Sequence, residues 1–252
     1  MGCMRKTLAI LFICAALSPN LLQAQAPTVD EVLQRYVSAL GGKANLEKIH
    51  SMVLRGTIEL PELKANGTTA EYFKSPIHFA AISNITGHGT TKFVYDGHEG
   101  WQMGPKSGSS KISGAPLVDM ARRADIHWEL KLREFYPHLQ FKGTESVNGE
   151  DAWKLEAAEE DGIYDFFFGA RTGLLVRFDT GQRIPGETSS VSISDYRRVG
   201  AVLFSYGAAQ TAGPVKWIRK LTEVKFNSPI DESVFEKPKA PPSTEEKPKG
   251  AA

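Results

Sequence analysis

Cysteine is almost absent from this chain. Of its 252 residues only Cys3 and Cys14 carry thiols, and both lie inside an N-terminal segment that reads as a removable leader. A mature chain without them has no disulfide, no cysteine nucleophile and no cysteine metal site. Net charge of either sign is absent too. Without Arg5 and Lys6, the 30 basic residues set against 29 acidic ones become a balance one unit negative. That excludes a strong field for nucleic acid or an anionic membrane surface. After the leader no apolar run is long enough to cross a bilayer.

Motifs for chemistry are missing as well. The six histidines, His50, His78, His88, His98, His127 and His138, show no H-E-x-x-H or other close ligand pair, so no metal and no cofactor is expected. The stretch from Gly108 to Ser110 lacks a G-x-S-x-G elbow. "YDGHEGW" brings Asp96, His98 and Glu99 together. It reads as a turn at Asp96-Gly97 before a strand that buries Trp101, rather than as an acid–base site. Arg122 and Arg123 read as a solvated helix face. The expectation is a non-enzymatic protein with no catalytic residues.

What is there begins with a leader. Arg5 and Lys6, the apolar run "TLAILFICAAL" and the small residues of "LQAQA" make residues 1–24 a secretory signal, with a second cleavage position at Ala26. "TVDE" then opens a helix, with Thr28 and Glu31 placed as a capping box. Val29, Val32, Leu33, Tyr36, Val37 and Leu40 share one face of it, and Gly41-Gly42 stops it. Successive strands follow: "MVLRGTIEL", "TTAEYFKS", "IHFAAISNI", "TTKFVYDG" and "EGWQM". "GPKSGSSKISG" reads as a polar loop. "APLVDMARRADIHWELKLREFY" reads as an inserted helical segment, with Leu117, Met120, Ala121, Ala124 and Trp128 on one face. Strands resume with "LQFKGTESV", "DAWKLEAA", "GIYDFFF", "LLVRFD", "TSSVSISDYRRV" and "VKWIRKLTEVKF". The pattern predicts one α+β domain over residues 27–238. Its core is a curved antiparallel sheet of about ten or eleven strands, an open half-barrel covered by the N-terminal helix and the inserted helical lid. Residues 239–252 are proline-rich and charged and read as a disordered tail.

The most apolar stretch is "YDFFFGARTGLLVRF", from Tyr164 to Phe178. Folded about "GARTG", it predicts a hairpin with Phe168 opposite Leu174, Phe166 opposite Val176 and Tyr164 opposite Phe178. Asp165 then faces Arg177 on the other side. Six large apolar side chains fall on one face, each costing about 1.5–3 kcal/mol if left in water. Two readings of their cover stay open at this point. Helices and strands fill the space as an ordinary core, or a movable cover leaves a cavity for acyl chains.

The run "VDEVLQRYVSALGGKANLEKIHSMVLRGTIEL", followed by "YDGHEGW", "FFFGARTGLLVRFD" and "VKFNSPIDESVFEKP", resembles the LolA/LolB-like superfamily, whose members include outer-membrane lipoprotein-sorting proteins. The resemblance implies an open β-barrel with a helical lid over a hydrophobic cavity. It implies a monomeric periplasmic lipid or lipoprotein carrier that takes acyl chains from an inner-membrane exporter to an outer-membrane acceptor. An envelope sensor binding a protein partner is the alternative it allows. The expected lipid-binding residues are Tyr164, Phe166, Phe168, Leu174, Val176 and Phe178, with Leu117, Met120 and Trp128 from the lid. Arg55 is a candidate for the family's functional arginine. The glycine-rich "YGAAQTAGP" and the polar loop around Ser107 depart from the compact carriers.

Overall fold

A computed structural model describes residues 26–160, 162–180 and 188–239. The expected signal segment, and the expected tail beyond residue 239, lie outside the described residues. The chain opens with α1 (Val29–Leu40) and the short α2 (Lys43–Leu46), then runs through β1 (Ser51–Leu60), β2 (Ala65–Lys74), β3 (His78–Ile85), β4 (Gly89–Tyr95), β5 (Gly100–Gly104) and β6 (Gly108–Ile112). The insertion carries α3 (Ala115–Ala124), a 3-10 turn (Trp128–Leu130) and α4 (Leu132–Phe135). Then come β7 (Gln140–Val147), β8 (Glu150–Glu159), β9 (Gly162–Gly169), β10 (Leu175–Thr180), β11 (Ser189–Val199), β12 (Val202–Ala212) and β13 (Val215–Phe226).

All thirteen strands join one unclosed, curved antiparallel sheet in the order β6-β5-β4-β3-β2-β1-β13-β12-β11-β10-β9-β8-β7. Two meanders meet at the β1–β13 pair and run outwards to free edges at β6 and β7. This order places the lid. The chain leaves at one edge and re-enters at the other, so residues 113–139 have to cross the sheet. Laid flat, thirteen strands at about 4.8 Å spacing would separate those edges by about 58 Å. A ten-residue helix such as α3 spans only about 15 Å. Curling of the sheet shortens the gap that this connection bridges.

The strand number exceeds the expected ten or eleven because β6 and β12 were not anticipated. β6, "GSSKI", lies within what reads as a polar loop and has no run of β-formers. It is an edge strand held by its pairing with β5. β12 carries Gly207, Ala208 and Ala209 and lies between β11 and β13, whose ladders define it. β6 owes its conformation to its neighbour rather than to local propensity, whereas β12 joins a β-favouring start, Val202 to Tyr206, to a Gly-Ala stretch held by pairing.

The hairpin register also differs. Leu175 pairs with Phe168, Arg177 with Phe167, Phe178 with Phe166 and Thr180 with Tyr164, with an irregularity between Leu175 and Arg177. That bulge turns Val176 to the opposite face, where it packs with Val147, Ala152 and Phe167. The expected Asp165–Arg177 pair is replaced. Asp165 is 2.9 Å from the Lys154 ammonium, and Arg177 grips Asp179.

The insertion is not one continuous helix. It breaks at Asp125, whose backbone is extended (φ −69°, ψ 117°). The Asp125 carboxylate accepts the His127 N–H at 2.9 Å and meets the Lys131 ammonium at 2.6 Å. The local carboxylate competes with the helical ladder and wins, so Trp128 sits on a separate turn.

The main core lies between the inner face of the sheet and α1, α4 and the 3-10 turn. A smaller outer cluster forms where Phe235 of the C-terminal segment covers Ala80 and Val94.

Candidate functional site

The two helices that cross the inner face are held differently. Thr28 and Glu31 form the expected capping box on α1: Thr28 Oγ1 accepts the Glu31 N–H at 3.2 Å, and Glu31 accepts the Thr28 N–H at 2.7 Å. α1 buries Val32, Tyr36 and Leu40. The Tyr36 ring packs tilted against Phe168, with centroids 5.1 Å apart. Arg35 donates to the Arg171 carbonyl at 2.9 Å and packs on Gly173, whose φ of 73° and close approach to Arg35 leave no room for a side chain. α1 is thereby fastened to the turn between β9 and β10.

α3 is held thinly. No side chain caps its start at Gly114, and of its ten residues only Ala124 is fully buried. Val118 is exposed. Leu117 and Met120 are half-buried and lie over Gly100 of β5; a Cβ there would stand 2.8 Å from Leu117 Cδ1 and 3.0 Å from Met120 Sδ. Polar contacts with other described residues add to these. The Tyr164 hydroxyl donates to Asp119 at 2.9 Å, and the Arg122 guanidinium lies over the rings of Tyr136 and Tyr164 at 4.8 and 5.3 Å.

The expected lipid-binding residues divide accordingly. Tyr164, Phe166 and Phe168 are fully buried, packed against Tyr136 after α4 and Tyr36 of α1. Phe178 is half-buried beside Phe166 at 4.9 Å, and Leu174 and Trp128 pack at the margin of the same cluster. Leu117 and Met120 lie over Gly100 of β5 and are not packed against that cluster. Val176 is on the far side, as described above.

Residues that sequence reasoning missed stand on the inner face. Register places Leu54, Glu71, Ala81 and Phe93 in one inner row across β1 to β4, and Leu221, Gly56, Thr69, Ser83 and Thr91 in the next. Arg219 and Ile58 follow. Among the inner-face positions of β1–β5 and β13, Glu71 and Arg219 are the charged ones. They pair with each other across β1: Arg219 Nη1 donates to Glu71 Oε1, and both side chains are largely buried, at 18% and 16% exposure. Gly56, on the strand between them, carries no side chain to obstruct the pair. Arg219 Nε is buried with no hydrogen-bond partner among the described residues. Beside the pair, Thr69 and Ser83 share a hydrogen bond of 3.2 Å.

A second polar group sits beneath the lid. Burial pushes the Glu129 carboxyl up to about 7, and the Asp125 carboxylate nearby adds to the shift. Its neighbours include the Tyr36 and Tyr196 hydroxyls, both raised by burial first and by each other or Glu129 second. A cleft of about 650 Å³ opens here between α1 and the segment after α3, lined by Leu33, Val37, His127, Glu129, Leu130 and Arg133 among others.

The chemically active-looking cluster is a turn. Asp96 Oδ1 accepts the N–H groups of His98 and Glu99 at 2.9 and 2.8 Å, and Glu99 pairs with Lys111. Arg55 lies on the outer face, paired with Glu223 at 2.6 Å. Among the described residues no group of three or more His, Cys, Asp and Glu is arranged to hold a metal, and no helix is long and apolar enough to cross a membrane.

No known family's sequence pattern matches the chain, and no curated protein matches it. Solved structures do. A DUF1329-family protein from Desulfovibrio piger superposes with a TM-score of 0.57 at 13% identity, covering 84% of this chain and 98% of that one. A LolA-superfamily protein from Nitrosomonas europaea gives 0.57 at 12% identity, covering 84% and 99%. A candidate outer membrane lipoprotein-sorting protein domain from Vibrio parahaemolyticus gives 0.52 at 12%, covering 82% and 95%. At such identities the shared property is the fold: the chain shares its fold with a solved LolA-superfamily protein and with these two others.

Proposed function

We propose that the protein is a non-enzymatic carrier in the periplasm that shields acyl chains between the inner face of its sheet and α3. The observation that carries this reading is the thin docking of α3. It crosses an apolar face yet fully buries only Ala124, and it leaves Leu117, Met120 and Phe178 half-buried. A helix with so little packing is cheap to lift. An acyl chain entering beneath it gains about 0.8 kcal/mol for each methylene removed from water.

In this reading Leu117, Met120 and Phe178 line the path of the chain. Tyr164 and Phe166 form its fixed floor, with Leu174 and Trp128 at its margin, while Phe168 lies under α1 with Tyr36. Val176 faces the other way and lines nothing. Loading and release need no covalent step, only displacement of the lid. A membrane exporter and an outer-membrane acceptor are the partner types that fit a monomeric carrier of this kind, and a leader peptide over residues 1–24 would deliver it to them.

The test is to extract gently purified protein and analyse the extract by lipid mass spectrometry, alongside titration with a fluorescent fatty acid. Co-purified lipid and saturable binding are expected. Protein that is empty from every preparation and binds no fatty acid would overturn the proposal.

A further inference from the structure

The ion pair on the inner face has a cost that packing does not recover. Two charges are withdrawn from water onto a surface whose other positions on β1–β5 and β13 are uncharged, where desolvation rivals their attraction. Arg219 also brings a buried Nε–H that meets no acceptor among the described residues, and such a group weakens the fold unless something else satisfies it. Glu71 accepts from Nη1 only. Among the described residues the guanidinium therefore uses one donor, Nη1, and its Nε–Nη2 edge, with Nε enclosed, has no hydrogen-bond acceptor. That edge is the fork that receives two oxygens of a carboxylate or phosphate side by side.

The setting selects the rest of the ligand. Arg219 is flanked along β13 by Trp217 and Leu221, faces Ile58 and Ala208 on the adjoining strands, and adjoins the hydroxyls of Thr69 and Ser83. A small hydrated anion gains little among such neighbours. A head group attached to a hydrocarbon chain suits both halves of the surface.

We propose that Arg219 is the head-group site of the carrier, holding the two-oxygen anion of an acyl lipid through its Nε–Nη2 edge, with Glu71 orienting the guanidinium from Nη1. This rests on the carrier reading and adds that the cargo is anionic. Glu71 also competes with the ligand for the same cation, so the pair sets affinity in opposite directions.

The test compares three ligands on the full chain by calorimetry: palmitate, methyl palmitate and palmitoyl lysophosphatidic acid. Wild type is expected to bind at least one of the two anions roughly tenfold more tightly than the ester, the scale of one charge-assisted hydrogen-bonded fork. The tighter anion identifies the head as carboxylate or phosphate. In the double variant Arg219→Gln/Glu71→Gln, which leaves no lone charge on the inner face, that ratio is expected to fall to near one. Glu71→Gln alone is expected to raise it. Equal binding of all three by wild type, or a ratio unmoved in the double variant, overturns the head-group site while the carrier reading stands. Binding of none of the three removes both.

Discussion

Two helices of similar length lie across the same face of the same sheet, and they are built to opposite ends. α1 has a reciprocal cap, three fully buried side chains and a clamp on the β9–β10 turn. Among the described residues α3 has no side-chain cap, one fully buried alanine and polar contacts that include those to Tyr164 and Tyr136. Apolar burial fixes a helix in place, whereas hydrogen bonds and cation–π contacts at a half-wet surface hold it loosely. In the proposed reading, the difference separates structural core from movable cover.

The comparison breaks most visibly in the floor beneath α1. Phe168→Ala removes a ring that is completely buried against Tyr36, and urea denaturation should show a loss of about 3–5 kcal/mol. A loss below about 1 kcal/mol would mean that α1 covers a loose interior, as α3 does.

The next effect appears with pH. The Glu129 carboxyl, raised to about 7 by burial, is protonated in the folded chain well above the pH at which it ionises when unfolded. Its folded state binds a proton that the unfolded state has released. Stability from this group is therefore present at low pH and is lost as pH rises from about 4.5 towards about 7. Glu129→Gln should flatten that fall, so the difference in melting temperature between wild type and variant should change steadily across this window and stay constant above it. Parallel curves would show that Glu129 is solvated.

Thr28→Ala should cost about 1 kcal/mol by removing the cap of α1, again read from urea denaturation. Met120→Ala on α3 should cost less than Thr28→Ala in stability, because Met120 is only half-buried, yet should weaken fatty-acid binding in the fluorescence titration. A large loss of stability with unchanged binding would place α3 in the core with α1.

Much of α1 was legible. The T-V-D-E cap and the Val32, Tyr36 and Leu40 spacing come from local rules and needed no tertiary information. The apolar face from Tyr164 to Phe178 was legible as a face but not in register, because the bulge turns Val176 outward onto Val147 and Ala152, which are distant in sequence. β6 was illegible for the same reason, since its residues are mostly polar or small and its extended form comes from pairing; β12 was obscured because Gly207, Ala208 and Ala209 interrupt a run that opens with Val202, Leu203, Phe204 and Tyr206. The Glu71–Arg219 pair was out of reach altogether. Its members are 148 positions apart, and only the meeting of β1 with β13 carries one over to the other. The break at Asp125 left a local sign, an aspartate able to take the backbone N–H two residues on, and the helical spacing around it concealed that sign.

The central claim is that α3 opens over an apolar site while α1 does not. Hydrogen exchange across both helices, with and without palmitate, tests it most directly. The account predicts that α3 amides exchange far faster than α1 amides in the unliganded chain and become protected when palmitate is added. Equal protection of the two helices, unchanged by the fatty acid, would contradict it.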